Sequence, residues 1–320
     1  MKKAEPAAPA GLLLLNKKPG LTSFEALRPV KRALGTGKVG HTGTLDKFAG
    51  GLLLVLSGRA LKLSPWFFHC AKQYEGVVRF GEETDTLDPE GKVTAKAEVP
   101  PPEAVERALS LFRGEIEQAP PEYSAIHIDG KRASALARAG KAPEMKKRPV
   151  CIYRLELLSW ESPDARIRVH CSSGTYIRSL ARDIALAAGS RAHLAALLRT
   201  GVAGFKLADA VPAPEDEGTA LLEALKPVDR GIISRLGLPH FDLEEGMVEK
   251  IIQGKPLSRV LGRASLIDAG QDPKPGKAAA LFCGDIFAGI AEEETGGDGK
   301  NGWRYGCVYA SAKDGACAGL

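Results

Sequence analysis

Two short aliphatic runs constrain the fold of this 320-residue chain more than any other feature. Residues 12–15 are four consecutive leucines, and residues 51–56 join a glycine to five leucines and valines. A short apolar run that is bounded by turn or polar residues is typical of a strand buried on both of its faces. We therefore predict that both runs are strands of a covered sheet, and that residues 51–56 lie near its centre.

Other segments show the periodicities of amphipathic helices and half-buried strands. Thr22 and Glu25 have the spacing of a capping box, which predicts a helix over 23–34. Apolar residues recur three and four apart over 175–188, which predicts a second helix with one buried face. Alternating or apolar patterns predict further strands over 73–80, 151–160 and 165–171.

The order of these elements favours an α+β fold. Strands and helices are mixed without regular β-α-β alternation, so residues 1–236 are predicted to form a mixed, largely antiparallel sheet flanked by helices. A linker-like stretch over 227–239 precedes a change in composition. A small, mostly β second domain is therefore predicted for residues 237–320, with a helix over 244–253 and strands over 278–283, 286–291 and 304–309.

Positive charge is concentrated in two segments, although the formal net charge is only +5. Residues 1–75 carry twelve lysines and arginines against four acidic residues, and residues 131–154 carry eight against one. Concentrated positive charge attracts a polyanion by releasing its condensed counterions, which makes a nucleic acid a natural partner. A basic surface that serves only solubility stays open as the alternative.

The cysteines and the apolar segments argue against a disulfide framework, a metal centre and a membrane span. No two cysteines have C-x-x-C spacing and none precedes a closely spaced histidine pair, so free thiols in a reducing, cytoplasmic compartment are expected. Lys2 and Lys3 suggest an export signal, but Glu5, Pro6 and Pro9 interrupt the apolar segment that follows. No run approaches the roughly 20 apolar residues that a membrane helix needs.

Residues 35–40 match the dinucleotide fingerprint G-x-G-x-x-G. That motif requires a strand before it and a helix directly after it, so that a pyrophosphate meets the helix amides. In this chain a predicted helix precedes the motif, and Thr42-Gly43-Thr44 follows it. We regard the match as accidental and expect no nucleotide cofactor.

The segment that follows, residues 40–51, is more informative. It places an acid, an imidazole and two hydroxyl groups among glycines that let a bulky ligand approach the backbone. Taken alone, Asp46 would be interpreted as a turn residue. However, the sequence Gly-His-Thr-Gly-Thr-Leu-Asp resembles the catalytic segment of the TruB family of pseudouridine synthases. In this resemblance, Asp46 matches the essential aspartate of that family.

Five further blocks carry the same resemblance in the order of the family, at residues 16–23, 72–74, 84–91, 120–126 and 170–180. The resemblance implies a bacterial synthase that isomerises uridine 55 in the T-loop of tRNA. Pseudouridine formation needs no redox change and no external group, so no cofactor is expected. Covalent attack by Asp46 and an elimination-type route both stay open.

The resemblance also implies roles for individual side chains. Arg178 would pair with Asp46 and keep the pKa of that carboxyl low. Tyr74 would stack on the target base and help remove the proton from its carbon. His41 would insert into the T-loop and fill the space that the flipped base leaves. Leu198, expected on a helix face, would line the pocket, and further substrate contacts are expected from Lys18, Thr44 and Tyr176.

Two departures from the family pattern fall in the catalytic segment. Lys47 stands where the family usually has proline, and Gly50 where it often has threonine. Loss of the proline removes a fixed φ, so we expect the loop to be more mobile than is typical. For this reason a non-catalytic RNA-binding protein of the same fold stays open, as does a guide-RNA-dependent relative of archaeal or eukaryotic type.

The C-terminal unit resembles a PUA domain, a small RNA-binding β-barrel. That resemblance implies contact with the acceptor end of tRNA, while the first domain would recognise the shape and splayed bases of the T-arm. We expect a monomer that needs no protein partner and does not bind a membrane.

Overall fold

The computed structural model describes residues 8–128, 130–141, 145–212, 220–244, 246–262, 264–267, 278–295 and 301–311. The predictions that involve Lys2, Lys3, Glu5, Pro6 and Cys317 concern residues outside these ranges, and the other five cysteines carry free thiols. No helix in the described ranges is long and apolar enough to cross a membrane.

Strands dominate the described residues. In chain order they are β1 (Gly11–Lys17), β2 (Val39–His41), β3 (Gly50–Ser57), β4 (Lys72–Phe80), β5 (Glu82–Thr84), β6 (Val93–Lys96), β7 (Gly114–Gln118), β8 (His127–Ile128), β9 (Lys131–Arg132), β10 (Arg148–Glu161), β11 (Asp164–Cys171), β12 (Ala192–Val202), β13 (Phe205–Lys206), β14 (Val211–Pro212), β15 (His240–Leu243), β16 (Leu266–Ile267), β17 (Ala278–Cys283), β18 (Ile286–Thr295) and β19 (Asn301–Val308).

The helices are mostly short. In chain order they are α1 (Ser23–Ala33), α2 (Ser64–Phe68), α3 (Pro102–Ser110), α4 (Ala133–Arg138), α5 (Ile177–Ala187), α6 (Ala220–Glu223), α7 (Arg230–Arg235), α8 (Met247–Ile252) and α9 (Leu257–Leu261).

The larger sheet has the strand order β14-β1-β3-β12-β4-β11-β10-β7, with β2 paired to β3 and β13 paired to β12. The β1–β14 and β3–β12 pairs are parallel, and the other pairs of this sheet are antiparallel. The prediction of an α+β fold with a mixed, largely antiparallel sheet is therefore confirmed.

The two aliphatic runs form neighbouring strands, β1 and β3, and β3 is buried along its whole length. Odd-numbered side chains of both strands pack against α1, whereas even-numbered side chains pack on the opposite face with residues of the second sheet. Because both faces are covered, apolar residues are needed at every position, which explains why the sequence does not alternate.

The predicted helices are present with small shifts at their ends. Thr22 caps α1, because its hydroxyl accepts a hydrogen bond from the Glu25 amide at 3.1 Å and the Glu25 carboxylate accepts one from the Thr22 amide at 2.9 Å. The helix predicted over 175–188 is α5. The last two residues of the 35–40 motif lie in the strand β2, and no helix follows them, so the motif lacks the geometry of a dinucleotide site.

Two predictions of local structure were wrong. Leu198 lies in strand β12, not on a helix face, although the segment 192–202 is rich in the helix-forming residues alanine and leucine. Pairing with β3 and β4 overrides that preference. The linker-like stretch 227–239 contains α7, which Asp229 caps through its side chain and the Ile232 amide at 2.8 Å.

The second sheet has the order β16-β15-β17-β18-β19 and lies beyond α7 in the chain. Its apolar residues Phe282, Phe287 and Tyr309 join the same hydrophobic cluster as Leu12 and Leu52 of the first sheet. The two sheets therefore pack against each other through one continuous core. A separate C-terminal sheet was predicted correctly, and closure into a PUA-like barrel stays a prediction.

Gly51 allows β3 and β12 to approach each other beside the loop that carries Asp46. Its φ is +103°, and a Cβ placed on it would lie 2.7 Å from the backbone nitrogen of Arg199.

We expect Gly51→Ala to lower the free energy of unfolding by at least about 2 kcal/mol in denaturant titrations. Gly37→Ala is the control, because that Cβ meets open space, and an equal loss in both variants would contradict the account.

Candidate active site

The segment that carries Asp46 is held by hydrogen bonds from α1. The Ser23 hydroxyl accepts a hydrogen bond from the Leu45 amide at 2.8 Å and donates one to the Leu45 carbonyl at 3.0 Å. The Gly20 amide donates to the Lys47 carbonyl at 2.8 Å. Both neighbours of Asp46 are thus fixed to residues 20–23, which is why the capped start of α1 matters for the position of the acid.

Asp46 and Arg178, 132 residues apart in the sequence, form a bidentate ion pair. The guanidinium donates through Nε to Oδ2 at 2.9 Å and through Nη2 to Oδ1 at 3.2 Å. Arg178 is 4% exposed, and it also donates to the carbonyls of Thr86 at 2.7 Å and Tyr123 at 3.1 Å. Four hydrogen bonds hold the guanidinium in place, and the guanidinium in turn orients the carboxylate of Asp46.

Asp88 is a second buried carboxylate on the same arginine, at 3.3 Å from Nη1. Its other oxygen accepts hydrogen bonds from the Thr86 hydroxyl at 2.6 Å and the Glu90 amide at 3.1 Å. Asp88 belongs to the block 84–91, but no role was predicted for it from the sequence. Asp88 thus holds the Thr86 hydroxyl and the Glu90 amide with one oxygen and Arg178 with the other.

The pKa of Asp46 is raised above its ordinary value. Although 38% of the side-chain surface is open, burial among neighbouring groups is the largest influence and disfavours the charged form. Arg178 and Lys17 lower the pKa, and the negative charge of Asp88 raises it. The expectation that Arg178 keeps the pKa of Asp46 low was therefore wrong. The ion pair is present, but burial raises this pKa by more than Arg178 lowers it.

Lys17 is fully buried beneath the site and contributes positive charge to it. Its ammonium donates to the carbonyls of Leu21 at 2.5 Å and Lys18 at 3.1 Å. Burial lowers its pKa to about 8, against an opposing effect of Asp46. The predicted substrate contact Lys18 is exposed at the adjacent position.

Tyr74 lies in the central strand β4 and is 7% exposed. Burial raises its pKa to about 12, so the phenol stays protonated at neutral pH. Its neighbour Arg199 was missed by the sequence analysis. This buried guanidinium donates to the carbonyls of Leu52 at 2.7 Å and Gly43 at 3.1 Å, so it ties the loop before Asp46 to the sheet.

His41 ends β2 at the start of the same loop. Its Nδ1 accepts a hydrogen bond from the Gly43 amide at 3.4 Å, which leaves the proton of the neutral ring on Nε2. Burial, and then the charge of Arg199, lower the pKa of His41. Both influences therefore favour the neutral imidazole over its charged form.

The remaining predicted site residues differ in position. Tyr176 immediately precedes α5, two residues before Arg178. Its backbone amide donates to Oε1 of Gln118 at 2.8 Å, and its carbonyl accepts from Nε2 of Gln118 at 3.1 Å. Thr44 is exposed in the loop. Leu198 is 38% exposed, whereas Leu197, on the opposite face of β12, packs with the cluster that contains Tyr74. The leucine on the Tyr74 side of the sheet is thus Leu197.

The two departures from the family pattern have local explanations. A Cβ on Gly50 would lie 3.1 Å from Cδ of Pro19, so the proline ring occupies the space that a threonine would need. Lys47 keeps its backbone bound to Gly20, and its ammonium lies 3.5 Å from the Glu90 carboxylate. Hydrogen bonds therefore hold the loop at Leu45 and at Lys47, and the higher mobility expected from the missing proline stays a prediction.

No group of three or more histidine, cysteine, aspartate or glutamate side chains in the described part of the chain is arranged to hold a metal ion. Instead, the polar side chains of the candidate site lie around one loop. They are an aspartate, two arginines, a buried lysine and a tyrosine. Such a set can orient an ionised or ionisable carboxylate toward a ligand that approaches from the open side of Asp46.

Two solved structures share the fold over nearly the whole chain. A Cbf5-Nop10-Gar1 complex aligns with a TM-score of 0.71 and 23% identity, covering 95% of this chain and 86% of that chain. The archaeal box H/ACA sRNP Nop10-Cbf5 complex gives 0.69 and 22%, covering 98% and 91%. At this identity the likeness shows the pseudouridine synthase fold alone.

Sequence comparison adds the family. Residues 31–177 match the TruB family pseudouridylate synthase (N terminal domain). The tRNA pseudouridine synthase B of Borreliella burgdorferi (strain ZS7) is 45% identical over 225 residues, 69% of this chain and 80% of that protein. The one of Azoarcus sp. (strain BH72) is 41% identical over 291 residues, 89% and 92% of the two chains. With its fold, its paired Asp46 and Arg178 and these relatives, the chain belongs to the TruB family of pseudouridine synthases.

Proposed function

We propose that the protein isomerises uridine 55 in the T-loop of tRNA to pseudouridine, with Asp46 as its catalytic carboxylate and without a cofactor. The observation that carries the proposal is the bidentate Arg178–Asp46 pair, which aims an acid whose surface is partly open. The tRNA substrate is supported by the relatives, which are tRNA pseudouridine synthases B at 41% and 45% identity.

The reaction balances within one nucleotide. The bond from N1 of uracil to C1′ of ribose breaks, the base turns, a bond from C5 to C1′ forms, and the proton of C5 leaves while N1 gains one. Covalent attack by Asp46 and proton abstraction at the sugar are alternative routes, and both need the carboxylate ionised. Arg178 and Lys17 favour that ionised form.

We assign the base pocket to Tyr74 and Leu197. The protonated phenol of Tyr74 offers a ring for stacking and a hydroxyl that donates a hydrogen bond, whereas a pKa of about 12 makes it a poor proton acceptor at neutral pH. Because a base within a folded loop must leave its stack to reach Asp46, we assign His41 to the space that the base vacates. Lys18, Thr44 and Tyr176 are assigned to the surrounding RNA contacts.

We further propose that residues 237–320 form an RNA-binding domain of PUA type that contacts the acceptor end of tRNA. The separate five-stranded sheet and its shared core with the first sheet support a fixed spacing between two RNA contacts. The protein is proposed to act as a monomer without protein partners. Conversion of bare tRNA by the purified protein would remove the guide-dependent alternative.

The target position is tested by mapping pseudouridine in unmodified tRNA after incubation with the purified protein. Modification only at uridine 55, and none in a tRNA with cytidine at that position, is the expected result. Binding without modification at any uridine would favour a non-catalytic RNA-binding protein, and modification at another position would refute the assigned specificity.

The raised pKa of Asp46 predicts the acid side of the pH profile. Since the carboxylate must be ionised, kcat/KM is expected to fall on acidification at a pH above the ordinary aspartate value of 3.8. Asp88→Asn removes a negative charge that raises the pKa of Asp46, so the acid limb should move to lower pH in that variant. A limb that moves to higher pH, or does not move, would contradict the assigned electrostatics.

A further inference from the structure

Lys47 is a charged side chain at the rim of the site that the reaction itself does not use. It directly follows Asp46, and its backbone is fixed by the hydrogen bond from the Gly20 amide. Its side chain is 53% exposed, and the ammonium lies 3.5 Å from Oε1 of Glu90, which is 48% exposed. The long side chain of Lys47 therefore extends from a backbone position that is held beside Asp46.

Several carboxylates lie near Lys47. Its charge acts on Glu25, whose pKa is lowered chiefly by hydrogen bonds from Thr22, then by the charge of Arg28 and then by that of Lys47. Asp46 and Asp88 add two more carboxylates close by. Arg178 pairs with Asp46 and Asp88, whereas Glu25 and Glu90 lie beside Lys47. Lys47 therefore places a positive charge among carboxylates at the rim, where a phosphate of an RNA backbone can approach.

The Lys47–Glu90 ion pair is of a kind that another anion can readily replace. Exposed lysine–glutamate pairs contribute little to stability, because solvent and salt screen them and both side chains lose freedom. A phosphate, like a carboxylate, is an anionic acceptor that forms charge-assisted hydrogen bonds with an ammonium. Replacement of Glu90 by a phosphate therefore costs the protein little.

We propose that Lys47 binds a phosphate that flanks the target uridine, with Glu90 holding its ammonium in the free protein and releasing it to the RNA. This inference rests on the proposed function, because a nucleotide seated on Asp46 brings its own flanking phosphates next to residue 47. The contact belongs to this chain rather than to the usual family pattern, in which a proline at this position carries no charge.

The salt dependence of RNA binding tests the proposal. An unmodified T-arm stem-loop is titrated with wild type, Lys47→Ala, Lys47→Arg and Glu90→Gln between 50 and 200 mM salt. Loss of one phosphate contact should reduce the slope of log K against log salt by about 0.7–0.9, which at 0.1 M corresponds to roughly fivefold to eightfold weaker binding. Lys47→Arg should restore the slope, and Glu90→Gln should tighten binding by up to about fivefold.

Lys96→Ala is the matched control, because Lys96 forms a comparable exposed pair with Glu82, at 2.6 Å, in the β5–β6 hairpin. Its slope should equal that of the wild type, and thermal unfolding should be unchanged in all variants. If the wild type converts the RNA but Lys47→Ala keeps the full slope, the inference is wrong and the proposed function stands. A wild type that neither binds nor converts the RNA refutes the proposed function, and the inference with it.

Discussion

Asp46→Asn is expected to lower the rate of pseudouridine formation by more than about 10⁴-fold while it leaves tRNA affinity within about tenfold. The amide keeps the shape of the side chain but cannot act as a nucleophile or accept a proton at neutral pH. Single-turnover product formation gives the rate, and fluorescence anisotropy gives the affinity. The split between the two readouts distinguishes a catalytic acid from a residue that shapes the site.

A matched control exists on the open face of the same sheet. Asp164 also forms a bidentate pair with an arginine, at 2.8 and 2.7 Å from the guanidinium of Arg79. Asp164→Asn makes the same chemical change far from the loop of Asp46, so its rate should match the wild type within a factor of about two. An affinity loss well beyond tenfold in Asp46→Asn would instead indicate that Asp46 mainly supports the structure.

Arg178→Leu is expected to damage both stability and turnover. Removal of the buried guanidinium leaves Asp46 and Asp88 close together without their shared cation, and the carbonyls of Thr86 and Tyr123 without a donor. Breaking such a pair by loss of one partner costs about 3–5 kcal/mol. Denaturant unfolding measures this loss, and the acid limb of the rate profile should move to higher pH because Arg178 lowers the pKa of Asp46.

Arg79→Leu and Arg178→Lys separate the contributions. Arg79 is 49% exposed, so its loss should cost no more than about 1 kcal/mol. Arg178→Lys keeps the charge but not the planar fork, and should recover part of the stability with little of the rate. Equal stability losses in Arg178→Leu and Arg79→Leu would contradict the assigned burial and sharing of Arg178.

The sequence was sufficient for the features that depend on local chemistry or on whole blocks of residues. The capping box at Thr22 and Glu25 and the unbroken aliphatic strands follow directly from residue type and spacing. Arg178 could be linked to Asp46 only through the family resemblance, because no periodicity relates residues 132 positions apart. Its contact distance and burial then came from the structure.

Features that depend on tertiary contacts escaped the sequence analysis. The leucine-rich segment around Leu197 has helix-forming composition, and only its two partner strands make it β12 and decide which leucine faces Tyr74. Arg199 and Asp88 were missed because buried polar groups are recognisable by their partners rather than by their neighbours in sequence. The pKa of Asp46 was misjudged since burial, the larger influence, cannot be read from residue order.

The most direct test of the central claim is release of tritium from C5 of uridine in an unmodified T-arm stem-loop, without added cofactor or metal. Breaking the C5–H bond is required for pseudouridine and not for RNA binding, so the signal reports the isomerisation itself. We expect release by the wild type and none by Asp46→Asn. Release by neither protein, or equal release by both, would contradict the assignment of Asp46 as the catalytic carboxylate.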